Sequence, residues 1–182
     1  YTYTQNNIAI GSYANYSKVR GDHNVVIGSH AFYYYSYYSY WAGSIAIGFE
    51  AGKYTRTGSP NTGQRKSIYI GADSRTFQSG SDYEIVIGAD TTGFGSNTAT
   101  YGNSSMTRHI FQGGNMGIGI TSPTERLEVN GGIKLNTTTS RPVCNSSRRG
   151  TLWFSQGEPG VKDTLEVCAK DESDNYDWRV LY

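Results

Sequence analysis

A pattern of one polar residue, an apolar residue, a variable residue, an apolar residue and glycine recurs along the first two-thirds of the chain. We call it the repeat pentapeptide. A fixed pattern returning at a period of roughly 20 residues predicts a repeat architecture in which one structural unit is stacked many times. Its copies, of which the last two are degenerate, lie at residues 7–11, 24–28, 44–48, 67–71, 84–88, 98–102 and 115–119.

The alternation of apolar and variable positions predicts that each copy forms a short β-strand. Successive side chains of a strand point to opposite faces, so the first and third apolar positions share one face. We predict that this face forms the core of the repeats. The middle position, for example Val26 or Tyr69, is also often apolar, and we predict that a neighbouring chain covers it. The predicted core residues are Ile8, Ile10, Val25, Ile27, Ile45, Ile47, Ile68, Ile70, Ile85, Ile87 and Ile118.

The spacing between repeat glycines predicts where insertions enter. Successive glycines are 17, 20, 23, 17, 14 and 17 residues apart, which fits a minimal turn of 14 residues with insertions on one side. A small residue stands three positions after each glycine, as at Ala31 and Ala51, and predicts a second strand packed closely against the first. Two strands per turn would form a narrow parallel solenoid whose open edges favour assembly into a trimer.

The composition of the chain restricts the classes of partner that it is expected to bind. The chain has 182 residues, 36% of them hydrophobic, and a formal net charge of +1 without a basic stripe. These features argue against nucleic acid as a partner. No segment has the apolar length needed to span a membrane, so we expect no membrane insertion.

The repeat resembles the β-roll heads of trimeric autotransporter adhesins and the related repeats of phage tail fibres. The pattern small-Ile-Ala-Ile-Gly-x-x-Ala carries the first part of the resemblance, and residues 93–103 are similar to the closing turns of such heads. Residues 114–131, Gly-Asn-Met-Gly-Ile-Gly-Ile-Thr-Ser-Pro followed by Leu-Glu-Val-Asn-Gly, resemble their neck. The resemblance implies an all-β, left-handed parallel β-roll forming an intertwined homotrimer, with a head at 1–119 and a neck at 120–140.

The last segment, 141–182, has a different composition and is predicted to form a small β-knob. Thr151–Phe154, Thr164–Cys168 and Trp178–Tyr182 alternate like three short strands separated by turn residues. Both cysteines, Cys144 and Cys168, lie in this segment. We predict that they form a disulfide in an extracellular setting, the alternative being two reduced thiols.

Candidate chemistry is sparse. No nucleophile motif or phosphate-binding loop occurs, so we expect no catalytic residue and no cofactor. The histidines His23, His30 and His109 lie in separate repeats without metal-ligand spacing, and we expect no metal site. Three copies of one histidine meeting on a threefold axis remain an alternative to ordinary surface histidines.

An aromatic insertion follows the second repeat pentapeptide and is the best candidate for ligand binding. Tyrosine combines a flat apolar face with a polar tip, which suits stacking on sugar rings or contact with a protein surface. The alternative is that these rings pack between chains or against the next repeat. The candidate residues are Tyr33, Tyr34, Tyr35, Tyr37, Tyr38, Tyr40 and Trp41.

Together these observations predict a non-enzymatic, adhesive fibre protein. It would act as a homotrimeric segment of a virion tail fibre or cell-surface adhesin and attach to a cell-surface glycan or protein receptor. Two alternatives are a filament-forming extracellular subunit, with residues 1–5 as an inter-subunit strand, and a polysaccharide depolymerase with a groove between subunits.

Overall fold

The computed structural model describes residues 6–16, 21–33, 40–135 and 140–182, without the side chains of Tyr40 and Trp41. About a third of the chain, 32%, is β-strand, and no α-helix occurs in the described residues. The all-β prediction is therefore confirmed. Contacts divide the chain into two compact units, Tyr1–Ile110 and Phe111–Tyr182. The predicted division at residues 119 and 140 stays a prediction.

The first unit is built from two parallel sheets. The repeat pentapeptides supply a six-stranded sheet in the order β1-β3-β5-β7-β8-β9, and each strand pairs in register with the one from the next repeat. A three-stranded parallel sheet, β2-β4-β6, is formed by residues just before the pentapeptides. The strands are β1 (Ile8–Ile10), β2 (Gly21–Asp22), β3 (Val25–Ile27), β4 (Tyr40–Ala42), β5 (Ile45–Ile47), β6 (Gly63–Arg65), β7 (Ile68–Ile70), β8 (Ile85–Ile87) and β9 (Ala99–Tyr101).

The predicted inward face of these strands is wrong. The middle residues Val26, Ala46, Tyr69 and Val86 are completely buried within the chain itself. The flanking apolar residues of β1 are more than half exposed, and those of β3, β5, β7 and β8 are only half-buried. The set predicted as core therefore lies on the outer face, which we call the isoleucine face: Ile8, Ile10, Val25, Ile27, Ile45, Ile47, Ile68, Ile70, Ile85 and Ile87.

The reversal has a simple physical origin. Strand alternation places the flanking and middle positions on opposite faces, but it does not say against which face the connecting loops fold. The loops fold over the middle positions, and the variable size of these side chains, from alanine to tyrosine, follows from the different contents of each loop. The middle residues of the strands are thus buried without a neighbouring chain, and the isoleucine face is the face that the loops do not cover.

The small residues three positions after the repeat glycines are buried in the middle four repeats, but they mark a turn. Ala31, Ala51, Ser74 and Thr91 are fully buried. The N–H of Ala31, Ala51 and Ser74 donates to the carbonyl of the repeat glycine three residues earlier. The sheet β2-β4-β6 precedes the pentapeptide, whereas the residues after the turn form only isolated bridges among the described residues. The second strand of each repeat is therefore in a different place from the predicted one.

The polar first residue of the pentapeptide forms a ladder between repeats. Asn7 Oδ1 accepts the backbone N–H of Asn24 at 2.9 Å, and Asn24 Oδ1 accepts the N–H of Ser44 at 3.0 Å. The hydroxyls of Ser44 and Ser67 continue the pattern to Ser67 and Glu84 at 3.2 and 3.1 Å. Each polar side chain thus satisfies a backbone donor of the next repeat that would otherwise be buried without a partner.

The repeat glycines stack on each other and leave no room for a side chain. Gly28, Gly48 and Gly71 have φ values of +132°, +134° and +128°, a region that favours glycine. A methyl group on Gly71 would lie 2.5 Å from the carbonyl carbon and oxygen of Gly88 in the next repeat. The final glycine of the pentapeptide is thus required both by its backbone conformation and by the close approach of neighbouring repeats.

The described residues of the second unit form five strands: β10 (Met116–Ile118), β11 (Leu127–Val129), β12 (Leu152–Ser155), β13 (Thr164–Lys170) and β14 (Tyr176–Val180). The seventh pentapeptide forms β10, which pairs in parallel with β11 and is not part of the six-stranded sheet. Ile118 is 53% exposed, so its assignment to the core is also wrong. β12, β13 and β14 form an antiparallel sheet and overlap the three strands predicted from sequence, the last of which begins and ends two residues earlier than predicted.

The predicted disulfide Cys144–Cys168 is confirmed and ties the segment before the antiparallel sheet to its central strand. Trp178 Nε1 donates to the carbonyl of Pro142 at 2.9 Å on the same segment. Arg141 pairs with the buried carboxylate of Glu166 at 2.5 Å. The segment around residue 142 is therefore held by a covalent bond, a hydrogen bond and an ion pair, which compensates for the small apolar core.

Replacement of a repeat glycine tests the stacking. Gly71→Ala should be destabilised by about 1–2 kcal/mol of left-handed backbone strain and by about 1–3 kcal/mol more from overpacking against Gly88. Gly80→Ala is the matched control, because Gly80 has φ +81° but open space around it. Urea denaturation should show a clearly larger loss for Gly71→Ala, and equal losses would contradict the stacking argument.

Candidate functional site

Five aromatic side chains gather on the turns that follow the first three repeat pentapeptides. We call Tyr13, Tyr16, His30, Tyr33 and Phe49 the aromatic patch. Tyr13 stacks on His30 with ring centroids 5.1 Å apart, and Tyr16 stacks on Tyr33 at 5.5 Å. Edge-on contacts join Tyr13 to Tyr16 and Tyr33, and His30 to Tyr33 and Phe49. Despite these contacts, Tyr13, Tyr16 and Phe49 remain 54%, 41% and 53% exposed.

The patch arises from the repeat register. Tyr13 and His30 both lie two residues after a repeat glycine, and Tyr16 and Tyr33 both lie five residues after it. Tyr13 and His30 have φ values of +55° and +58°, a conformation uncommon outside glycine. The N–H of His30 donates to the carbonyl of Ser12, which fixes one turn above the next. Equivalent positions are therefore brought side by side, and the rings stack because their backbones do.

An ion pair borders the patch. Lys53 Nζ lies 2.5 Å from Glu50 Oε1, and the two side chains are only 12% and 19% exposed. The ammonium group also lies 5.1 Å from the centre of the Tyr33 ring and 4.9 Å from that of Tyr54. Burial acts to lower the pKa of Lys53, but the hydrogen bonds and charges of Glu50 and Tyr54 outweigh it, so the pKa is raised and the lysine stays charged.

Of the predicted ligand-binding residues, Tyr33 is part of the patch. Tyr40 and Trp41 lie in β4, where the structure describes their backbone alone. Tyr34, Tyr35, Tyr37 and Tyr38 lie outside the described residues. The other four patch residues were not predicted, because the predicted ligand site rested on a continuous run of tyrosines in the sequence. For Tyr13, Tyr16 and His30 the signal that could have found them is the offset from the repeat glycine, which Tyr13 shares with His30 and Tyr16 shares with Tyr33. Phe49 lies one residue after Gly48 and shares its offset with no other patch residue.

A second cluster of functional groups surrounds the fully buried carboxylate of Glu84. The hydroxyls of Thr76 and Tyr69 donate to Glu84 Oε2 at 2.6 and 2.8 Å. The N–H groups of Gly95 and Phe77 donate to Oε1 at 2.8 and 3.4 Å. Because donors from two neighbouring repeats converge on one carboxylate that solvent does not reach, this arrangement joins the repeats and is a poor candidate for a ligand site.

A cleft of about 550 Å³ lies in the second unit. Its walls are mainly apolar, and Lys134 supplies one cation. Among the described residues that line it, only Lys134 and Tyr182 carry a polar side-chain group, so its chemistry is less specific than that of the aromatic patch. The lining residues are Ile133, Lys134, Leu135, Phe154, Leu165 and Tyr182.

Comparisons with known proteins add no assignment. No protein-family model, curated protein or solved structure matches the chain. Among the described residues, no group of three or more histidine, cysteine, aspartate or glutamate side chains is arranged to hold a metal ion. None of the helical structure within the described ranges has the length and apolar character needed to cross a membrane.

Tyr69 provides a test of the buried cluster. Burial, followed by the charge of Glu84, raises the pKa of Tyr69 well above its ordinary value. The folded chain therefore retains the phenol proton at pH values where the unfolded chain loses it, and stability falls as pH rises above about 10. Tyr69→Phe should lack this contribution.

Thermal melting of both proteins should be followed between about pH 9 and pH 11, across the tyrosine pKa. We expect the melting temperature of Tyr69→Phe to start lower, because a buried hydrogen bond is lost, and to fall less steeply with pH. Parallel pH profiles for the two proteins would show that the Tyr69 proton is not held by burial.

Proposed function

We propose that this chain is a non-enzymatic adhesive module of an extracellular fibre, acting as a homotrimer that attaches to a cell-surface ligand. The observation that carries the proposal is the aromatic patch, in which the three most exposed rings are Tyr13, Tyr16 and Phe49. Large rings held by a stacked backbone present contact area with little conformational freedom to lose, which favours binding. A tail fibre or a surface adhesin is the setting that the sequence resemblance implies.

The scaffold has properties suited to such a role. The six strands of the first unit pair in parallel and in register, and the disulfide Cys144–Cys168 of the second unit is compatible with an oxidising, extracellular location. Repeats stabilised by contacts with their neighbours can be added or removed without changing the exposed turns. The turns are thus free to carry binding residues.

The isoleucine face supports self-assembly. It consists of two columns of apolar residues that run across the strands, and these side chains are half-buried or exposed in the single chain. A flat, uncharged face of this kind is unfavourable in water and is typical of surfaces that meet another protein. Three copies, the number that the resemblance implies, would bury these columns against each other around a common axis.

Sedimentation of the protein tests this assembly. We expect a mass of three chains for the wild type and of one chain for Ile47→Glu/Ile70→Glu, because an interface that buries two unpaired carboxylates is strongly unfavourable. Gln78→Glu adds a carboxylate at an exposed position off this face and should remain a trimer. A monomeric wild type at all concentrations, or a double variant that stays trimeric, would contradict the proposed interface.

Adhesion is tested with immobilised cells and with arrays of glycans and extracellular proteins. Tyr13→Ser/Phe49→Ser should lose binding about tenfold or more, since each ring supplies on the order of 1 kcal/mol of stacking beyond its buried area. Phe94→Ser is the control, because Phe94 is 72% exposed but lies outside the patch. Equal binding by the two variants, with equal melting temperatures, would remove the patch from the function.

A further inference from the structure

We propose that the ligand of the aromatic patch is an uncharged saccharide, recognised by stacking and by hydrogen bonds to hydroxyl groups. This inference rests on the proposed adhesive function and specifies the chemistry of the ligand. It depends on two features of the described residues: the polar tips of the patch rings and the neutralised charges beside them.

The rings offer both apolar faces and polar tips. Tyr13 and Phe49 are both more than half exposed, and the phenol of Tyr13 has no hydrogen-bond partner among the described residues. His30 shares one hydrogen bond with Ser29 Oγ through Nδ1 at 2.8 Å, which leaves Nε2 available. A pyranose ring matches such a surface, because its C–H groups form an apolar face and its hydroxyls form a polar rim.

The charges that border the patch are already compensated. Glu50 and Lys53 form a 2.5 Å ion pair and are both largely withdrawn from solvent. On the next repeat, Asp73 and Arg75 form a second pair at 3.2 Å. Each pair contributes one charge of each sign, so the two pairs together carry no net charge. An acidic saccharide would lose part of its hydration here, while the two described cations, Lys53 and Arg75, are already paired with carboxylates, which disfavours it.

A glycan array with neutral hexose and N-acetylhexosamine oligosaccharides, together with sialylated, sulfated and uronic-acid oligosaccharides, tests the inference. We expect binding to neutral members only, and the same apparent Kd between about 50 and 500 mM NaCl, since no ionic contact would be screened. Tyr13→Ser/Phe49→Ser should weaken this binding about tenfold or more, whereas Phe94→Ser should not.

Glu50→Gln is the sharpest variant, because it removes the partner of Lys53 without changing a patch ring. We expect binding of neutral oligosaccharides to persist, and binding of acidic ones to appear and to decrease with salt. A melting temperature measured for Glu50→Gln shows whether this variant folds. If it does not fold, Lys53→Gln replaces it. We expect Lys53→Gln to bind neutral saccharides only.

The outcomes separate the two proposals. Suppose that the wild type binds acidic glycans alone, or proteins but no glycan, and that Tyr13→Ser/Phe49→Ser loses this binding. That result would overturn the proposal of an uncharged ligand and leave the proposal of adhesion intact. Binding of no surface, glycan or protein through the patch would overturn both proposals. Salt-independent binding to neutral oligosaccharides through the patch supports both.

Discussion

The first unit depends on one geometrical constraint: each residue stacks directly on its equivalent in the next repeat, at the spacing of parallel strands, about 4.8 Å. Equivalent residues of successive repeats form columns, and the residues of each column must therefore fit against each other. Gly28, Gly48 and Gly71 do so because the carbonyl of the next repeat glycine lies where a Cβ atom would stand. The polar column does so because each side chain from Asn7 to Ser67 accepts the N–H of the residue stacked on it.

Inside the unit the same constraint requires a small residue in one repeat wherever a neighbouring repeat places a large side chain. Gly52 is required because any side chain there would collide with the ring of Phe32. A Cβ atom on Gly52 would lie 2.3 Å from Cε1 of that ring. The Phe32 ring in turn meets the Tyr69 ring edge-on at 5.9 Å, and Tyr69 donates to Glu84. Gly93 leaves room for the carboxylate of Glu84 in the same way. Large, small and charged interior residues thus alternate because a narrow interior has room for one large group per level.

This explains which parts of the structure could be predicted from the sequence. The strands and their register follow from the repeat pentapeptide, since period and alternation are local properties. The buried face does not, because Ile45 and Ala46 are both apolar and only the course of the loops decides which of them is enclosed. The disulfide was predictable from two cysteines in a small segment, whereas the contact of Tyr13 with His30 required knowing that residues at the same offset from glycine stack.

Repetition has opposite consequences for aromatic and charged side chains. Rings stacked at strand spacing attract each other, whereas like charges at that spacing repel. The position two residues after the repeat glycine carries Tyr13 and His30 in the first repeats and Glu50, Asp73 and Asp90 in the next three. Glu50 and Asp73 of this column form ion pairs with Lys53 and Arg75 from the same turns, so these two charges are used within the scaffold. The aromatic part needs no such compensation and keeps exposed surface. In a stacked fold the surface most available for a ligand is therefore aromatic, which is the physical basis for proposing adhesion at the turns of the first repeats.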